Sequence, residues 1–141
     1  MKNLMLLASV LVLGTSFGQS KTEEKAITSA VKAFAKAGDS QDVEALRSIT
    51  HNSYRLVWNS GKDAPFVADK AAFLAQFEKK EWGGDQRKVT VHTIELFDGI
   101  NAVAKVVSDG EKAQMRSLFS LVKVEGEWKI IGELVNASFK G

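Results

Sequence analysis

An α+β fold is predicted by two features of the chain. Up to Gly83-Gly84 the apolar residues recur mainly at helical spacing, and beyond it the chain turns to β-rich runs separated by Asp-Gly and Glu-Gly pairs. A third feature makes this one domain: the single proline, Pro65, and the lack of any low-complexity run leave nothing that marks an internal boundary.

In chain order, Lys2, the apolar run Leu4 to Leu13 and the small residues around Ser16-Phe17-Gly18 predict a secretory signal over residues 1–18, cut before Gln19. The apolar run is well short of the roughly 20 residues that span a bilayer, so no stable membrane insertion is expected after cleavage. Residues 19–141 then form a single domain, secreted or periplasmic. The chain has no cysteine, hence no lipid attachment point and no disulfide, and its stability must come from apolar burial. Nineteen basic residues against seventeen acidic ones give no concentrated basic face, which argues against nucleic acid as partner.

From Thr22, the positions Ile27, Ala30, Val31, Phe34 and Ala35 form one stripe of a first helix, with Lys25, Lys32 and Lys36 on its other faces. Gly38 is the expected left-handed residue at its end, and Asp39 or Ser40 the expected cap of a second helix striped by Val43, Leu46 and Ile49. Tyr54 to Trp58 reads as a short strand. Asp69 caps a third helix bearing Phe73, Leu74 and Phe77 on one face. Lys88–Phe97, Ala102–Ser108, Gln114–Val124 and Trp128–Phe139 read as four strands of an antiparallel meander, turning at Asp98-Gly99, Asp109-Gly110 and Glu125-Gly126.

The order helix, Ala-Gly-Asp corner at 37–39, helix, His-Asn-Ser-Tyr at 51–54, strand, helix, then a meander with Gly-Glu-Trp-Lys-Ile-Ile at 126–131, resembles the nuclear transport factor 2-like superfamily over residues 22–139. Within it the chain is most similar to the lumazine-binding and SnoaL-like groups of small secreted bacterial proteins. The resemblance implies a cone: about three N-terminal helices closed against a curved, mainly antiparallel sheet, with a pocket between them and a homodimer through the outer sheet face. Phe34, Tyr54, Trp58, Phe73, Phe77 and Trp82, on the elements that would wall the cone, point to a small, flat organic ligand.

Laid on the ketosteroid isomerases of the same superfamily, the chain has Val31, Trp58 and Ser120 at the three catalytic places. None is a carboxylate or a tyrosine, so neither a general base nor a donor pair for an enolate is present there. Binding without catalysis and without a cofactor is therefore the expectation. A hydratase or isomerase using His51 as general base, or a protein-interaction module working through the outer sheet face, are the alternatives. No histidine or carboxylate cluster has metal-ligand spacing.

Strand pairing narrows the expected site. A two-residue turn at Glu125-Gly126 sets Leu118 opposite Glu133 and Arg116 opposite Val135, which puts Arg116, Ser120 and Glu133 on one face, taken as the inside of the cone. Met115, Ser117, Phe119 and Leu121 then face outward toward a second copy. The expected ligand site is Trp58, Arg116, Ser120 and Glu133, with His51 and Tyr54 near the rim and Trp82 in the Gly-rich loop over the opening. Arg116 would grip an anionic or carbonyl-bearing ligand.

Overall fold

The computed structural model describes residues 15–141, so that residues 1–14 of the expected leader lie outside them. Among the described residues three helices, α1 (Thr15–Asp39), α2 (Val43–Ile49) and α3 (Lys70–Glu78), pack on one face of a six-stranded sheet. Its strands are β1 (Thr50–Trp58), β2 (Phe66–Asp69), β3 (Lys88–Phe97), β4 (Asn101–Asp109), β5 (Ala113–Val124) and β6 (Glu127–Phe139). They lie in the order β2-β1-β6-β5-β4-β3, antiparallel except where β1 meets β6. This is the predicted α+β cone with an added short strand, β2.

The helical stripes fall where their spacing places them. Ile27, Val31, Phe34 and Ala35 of α1 are buried, as are Leu46 of α2 and Phe73, Leu74 and Phe77 of α3. Each such large side chain contributes about 1.5–3 kcal/mol of apolar burial. The Asp69 carboxylate accepts the Ala72 N–H at 2.8 Å, the predicted cap of α3. At the α1–α2 corner the structure departs from expectation. Gly38 stays helical within α1, Gln41 takes the left-handed conformation (φ 57°), and Asp42 caps α2 through the Ala45 N–H. Gly38 is small for another reason: a Cβ there would lie 3.2 Å from the Arg87 guanidinium and 3.5 Å from the Phe77 ring.

The Glu125-Gly126 turn is the predicted two-residue hairpin, both residues having positive φ and Val124 pairing with Glu127. Beyond it, Trp128 Nε1 and Lys123 Nζ both donate to the Glu23 carboxylate, which fastens the hairpin to α1. The pairing predicted from this turn holds as far as Leu121 and Ile130. There a β-bulge intervenes: Ser120 pairs with Gly132, and Ile131 has no partner on β5. Because side chains alternate between faces, one extra residue exchanges the two faces of β6 for the rest of its length. Glu133 therefore pairs with Phe119, not Leu118, and Arg116 with Asn136, not Val135.

The consequence reverses the predicted faces of β5. Ser117, Phe119 and Leu121 are buried under the helices with Met115 packed beside them, while Arg116 is exposed and Ser120 shares its outer face. The outer face instead presents Val67, Val57, Leu134 and Leu118 as one row across β2, β1, β6 and β5, since each pairs with the next.

A second irregularity explains the His-Asn-Ser-Tyr stretch. Between Thr50, opposite Ile130, and Arg55, opposite Gly132, β1 carries four residues where β6 carries one. His51 Nδ1 accepts the Ser53 N–H at 3.0 Å across this bulge.

Candidate functional site

A cavity of about 230 Å³ opens between the helices and the concave face of the sheet. Six aromatic rings line it: Phe34 from α1, Phe73 and Phe77 from α3, Trp58 from β1, Phe139 from β6 and Trp82 from the loop after α3. Trp82 is the hub, with its ring 6.4 Å from Trp58, 6.2 Å from Phe73 and 5.9 Å from Phe77, all close to edge-on.

That loop is held by polar contacts rather than by packing alone. Gln41 Nε2 donates to the Trp82 carbonyl at 2.8 Å, and the Gly84 N–H donates to the Asp39 carbonyl at 2.9 Å. Gly83 has φ +89°, and a Cβ on it would fall 2.3 Å from the Gly38 carbonyl oxygen, so only glycine fits between loop and corner. At the loop's end Asp39 accepts both the backbone N–H and the Nε of Arg87, whose remaining donors go to the Ala35 carbonyl and the Met115 sulfur. The Ala-Gly-Asp corner thus ends α1, packs against the loop, and supplies the carboxylate that holds Arg87.

Six charged side chains stand among the lining residues: Asp39, Glu81, Asp85, Arg87, Lys112 and Glu133. The Trp58 indole N–H is inaccessible to solvent and without a hydrogen-bond partner. Glu133 is brought to the inner face by the bulge at Ile131. Its carboxylate accepts from Ser117 Oγ at 2.7 Å and from the Tyr54 hydroxyl at 3.2 Å. Burial pushes the Glu133 carboxyl above the ordinary carboxylate range, against the opposing pull of the two hydroxyls and of the Arg87 charge. Tyr54 is raised above its usual range, first by burial and then by the nearby Glu133 charge, so it stays a neutral donor.

This arrangement has a stability consequence. A carboxyl held above its unfolded value keeps its proton longer in the native state, so its contribution is complete below the unfolded value near 4.5 and is lost as pH rises toward the native value. Thermal unfolding of wild type and Glu133→Gln across this range should therefore show Gln gaining on wild type as pH rises. A difference that is flat or of opposite sign would mean Glu133 is ionised without cost.

Of the predicted site residues, the structure brings Trp58 and Glu133 to the cavity, together with Trp82. Arg116 and Ser120 are excluded from it, on the outer face. Tyr54 is not at the rim; it is fully buried behind the wall, its ring 4.8 Å from Phe73. His51 is not among the cavity residues, and its Nδ1 is occupied by the local turn. Asp39 and Arg87 were missed: nothing local signals a pair 48 residues apart. Phe139, the last residue of β6, also lines the cavity, which its place at a strand terminus does not signal.

The family model described as "Putative lumazine-binding" matches residues 22–139. No curated protein matches the chain at a significant level. Among solved structures, a nuclear transport factor 2-like protein of unknown function from Silicibacter pomeroyi DSS-3 is similar at TM-score 0.74 and 17% identity, over 84% of this chain and 98% of that one. A nuclear transport factor 2-like protein from Cytophaga hutchinsonii is similar at 0.66 and 20% identity, over 82% and 98%. A ketosteroid isomerase-like protein from Erwinia carotovora atroseptica is similar at 0.67 and 16% identity, over 82% and 95%. With a family match over nearly all the described residues, the chain belongs to the "Putative lumazine-binding" family, and it shares the fold of these nuclear transport factor 2-like structures.

Proposed function

We propose that the protein binds a small, flat organic molecule in the aromatic cavity without transforming it, and does so as a secreted or periplasmic homodimer. The observation that carries the binding reading is a cavity walled by six aromatic rings with the Glu133 carboxyl among its lining residues. The family's description supports a small-molecule ligand, while no residue of the cavity distinguishes lumazine from other flat rings. Binding without chemistry is favoured because His51 is turned to its own bulge and His92 lies exposed on β3.

The dimer rests on the outer row, where Val67, Leu134 and Leu118 are 59, 51 and 43% exposed. A contiguous apolar row on a sheet face is a surface suited to self-association. Native mass spectrometry of the protein purified from its producing cells tests both parts together. Expected is a dimer carrying a non-covalent adduct, lost on activation, and a Leu134→Lys variant that is monomeric. An adduct-free dimer that also takes up no flat aromatic compound on titration would overturn the binding reading. A wild-type monomer would overturn the dimer.

A further inference from the structure

Resting on the binding reading above, we infer that the cavity selects a flat organic cation, a protonated ring nitrogen or amidine-type group that pairs with Glu133 beneath the aromatic walls. This is the opposite charge from the one an inward Arg116 would have chosen.

The inference follows from the charges that face the cavity. Four carboxylates line it, Asp39, Glu81, Asp85 and Glu133, against two cations, Arg87 and Lys112. Asp39 and Arg87 neutralise each other, and each of the three Arg87 guanidinium nitrogens makes a bond away from Glu133, to Asp39, Ala35 and Met115. Asp85 is engaged with the backbone N–H groups of Gln86, Glu111 and Lys112. Lys112 Nζ donates to the Gly83 carbonyl at 3.4 Å, and its charge offsets that of Glu81 in sign. Glu133 remains: its contacts, Tyr54 and Ser117, are uncharged. Two hydroxyls orient its oxygens but bring no positive charge, and the Arg87 charge that acts on it from a distance is paired with Asp39.

A half-buried carboxylate with no cation bonded to it is costly, and a cationic ligand supplies that direct partner in a site of low dielectric. The walls reinforce this, because the faces of Trp58, Trp82 and Phe73 are attractive to a cation within reach of the ring. Binding also couples to protonation. The ligand pairs with ionised Glu133, so where the free protein holds this carboxyl protonated, binding releases a proton. Tyr54 and Ser117 stay neutral and cannot substitute for that release.

The test uses three compounds of one shape and different charge: naphthalene-2-carboxamidine, naphthalene-2-carboxamide and naphthalene-2-carboxylate. They are titrated calorimetrically into the protein in buffers of unlike ionisation enthalpy. The amidine should bind about tenfold or more tightly than the amide, with the carboxylate weakest. Its affinity should fall at acid pH while that of the amide stays level. In Glu133→Gln the amidine should lose its advantage while the amide keeps its affinity. Equal binding of amidine and amide, or an amidine preference that neither acid pH nor Glu133→Gln reduces, overturns the cation selectivity and leaves the binding reading standing. Failure of all three to bind overturns both. Should Glu133→Gln not fold, the pH dependence of the wild-type protein decides the matter alone.

Discussion

Phe73→Ala should destabilise the protein by about 3–5 kcal/mol, a large share of the roughly 5–15 kcal/mol that holds a domain of this kind together. Phe73 is 3% exposed and lies at the meeting point of the helices and the sheet. Its ring stacks on Phe34 at 5.8 Å and meets Tyr54, Phe77 and Trp82 at 4.8, 5.0 and 6.2 Å. Truncation loses the transfer energy of the ring and leaves a void that the surrounding aromatics cannot close, because each is tied to a different element. The void would also join the ligand cavity, which Phe73 lines. Equilibrium urea unfolding measures the loss, and Phe139→Ala provides the contrast. Phe139 lines the same cavity but is 68% exposed, so its removal should stay within about 0.5 kcal/mol. If the two variants lost similar stability, the aromatic cluster would not be the centre of the core.

The features that could be read from the sequence are those that are local. The stripes of α1 and α3, the Asp69 cap and the Glu125-Gly126 turn each depend on residues within a turn or two of one another, and all appear in the structure. What escaped depends on distance. The four-residue strand β2 forms by pairing with β1, not through its own propensity, and follows directly on Pro65. Gly38 looks like a helix terminator because glycine usually fills that role, whereas here its smallness serves Arg87 and Phe77. The bulge at Ile131 is the costliest omission. Trp128 and Ile130 share one parity and Glu133 and Val135 the other, so the break in alternation was present. It was masked by apolar Ile131 and Leu134, which let either face of β6 pass as inner. One residue of slip was enough to place Arg116 and Ser120 at a site they do not reach. Glu133, assigned to the inner face in a register that the bulge altered, lies at the cavity with Ser117 in the place Arg116 was expected to fill.

Asp39→Ala should cost about 3 kcal/mol and take the cavity mouth with it, because the change removes one member of a shielded pair and leaves the other charged. Both side chains are only 14% exposed. Asp39 makes two bonds to Arg87, one to Nε and one, at 2.9 Å, to the backbone N–H, so its loss strands a guanidinium and an amide together. The loop carrying Trp82 is anchored at this point, alongside the bonds of Gln41 to the Trp82 carbonyl, of Gly84 to the Asp39 carbonyl and of Glu111 and Lys112 to Asp85. Trp82 fluorescence should therefore respond in the folded variant, even at temperatures where circular dichroism still reports native secondary structure. Asp39→Asn retains acceptor geometry for the amide but not the charge, and should lose part of the stability. The decisive variant is the double change Asp39→Ala with Arg87→Met. With no stranded charge left and an apolar chain filling the guanidinium's place, it should be more stable than Asp39→Ala alone. Additive losses in the double variant would show that the pair acts through separate contacts, and that the corner is held by packing against Gly38 and Gly83 rather than by charge.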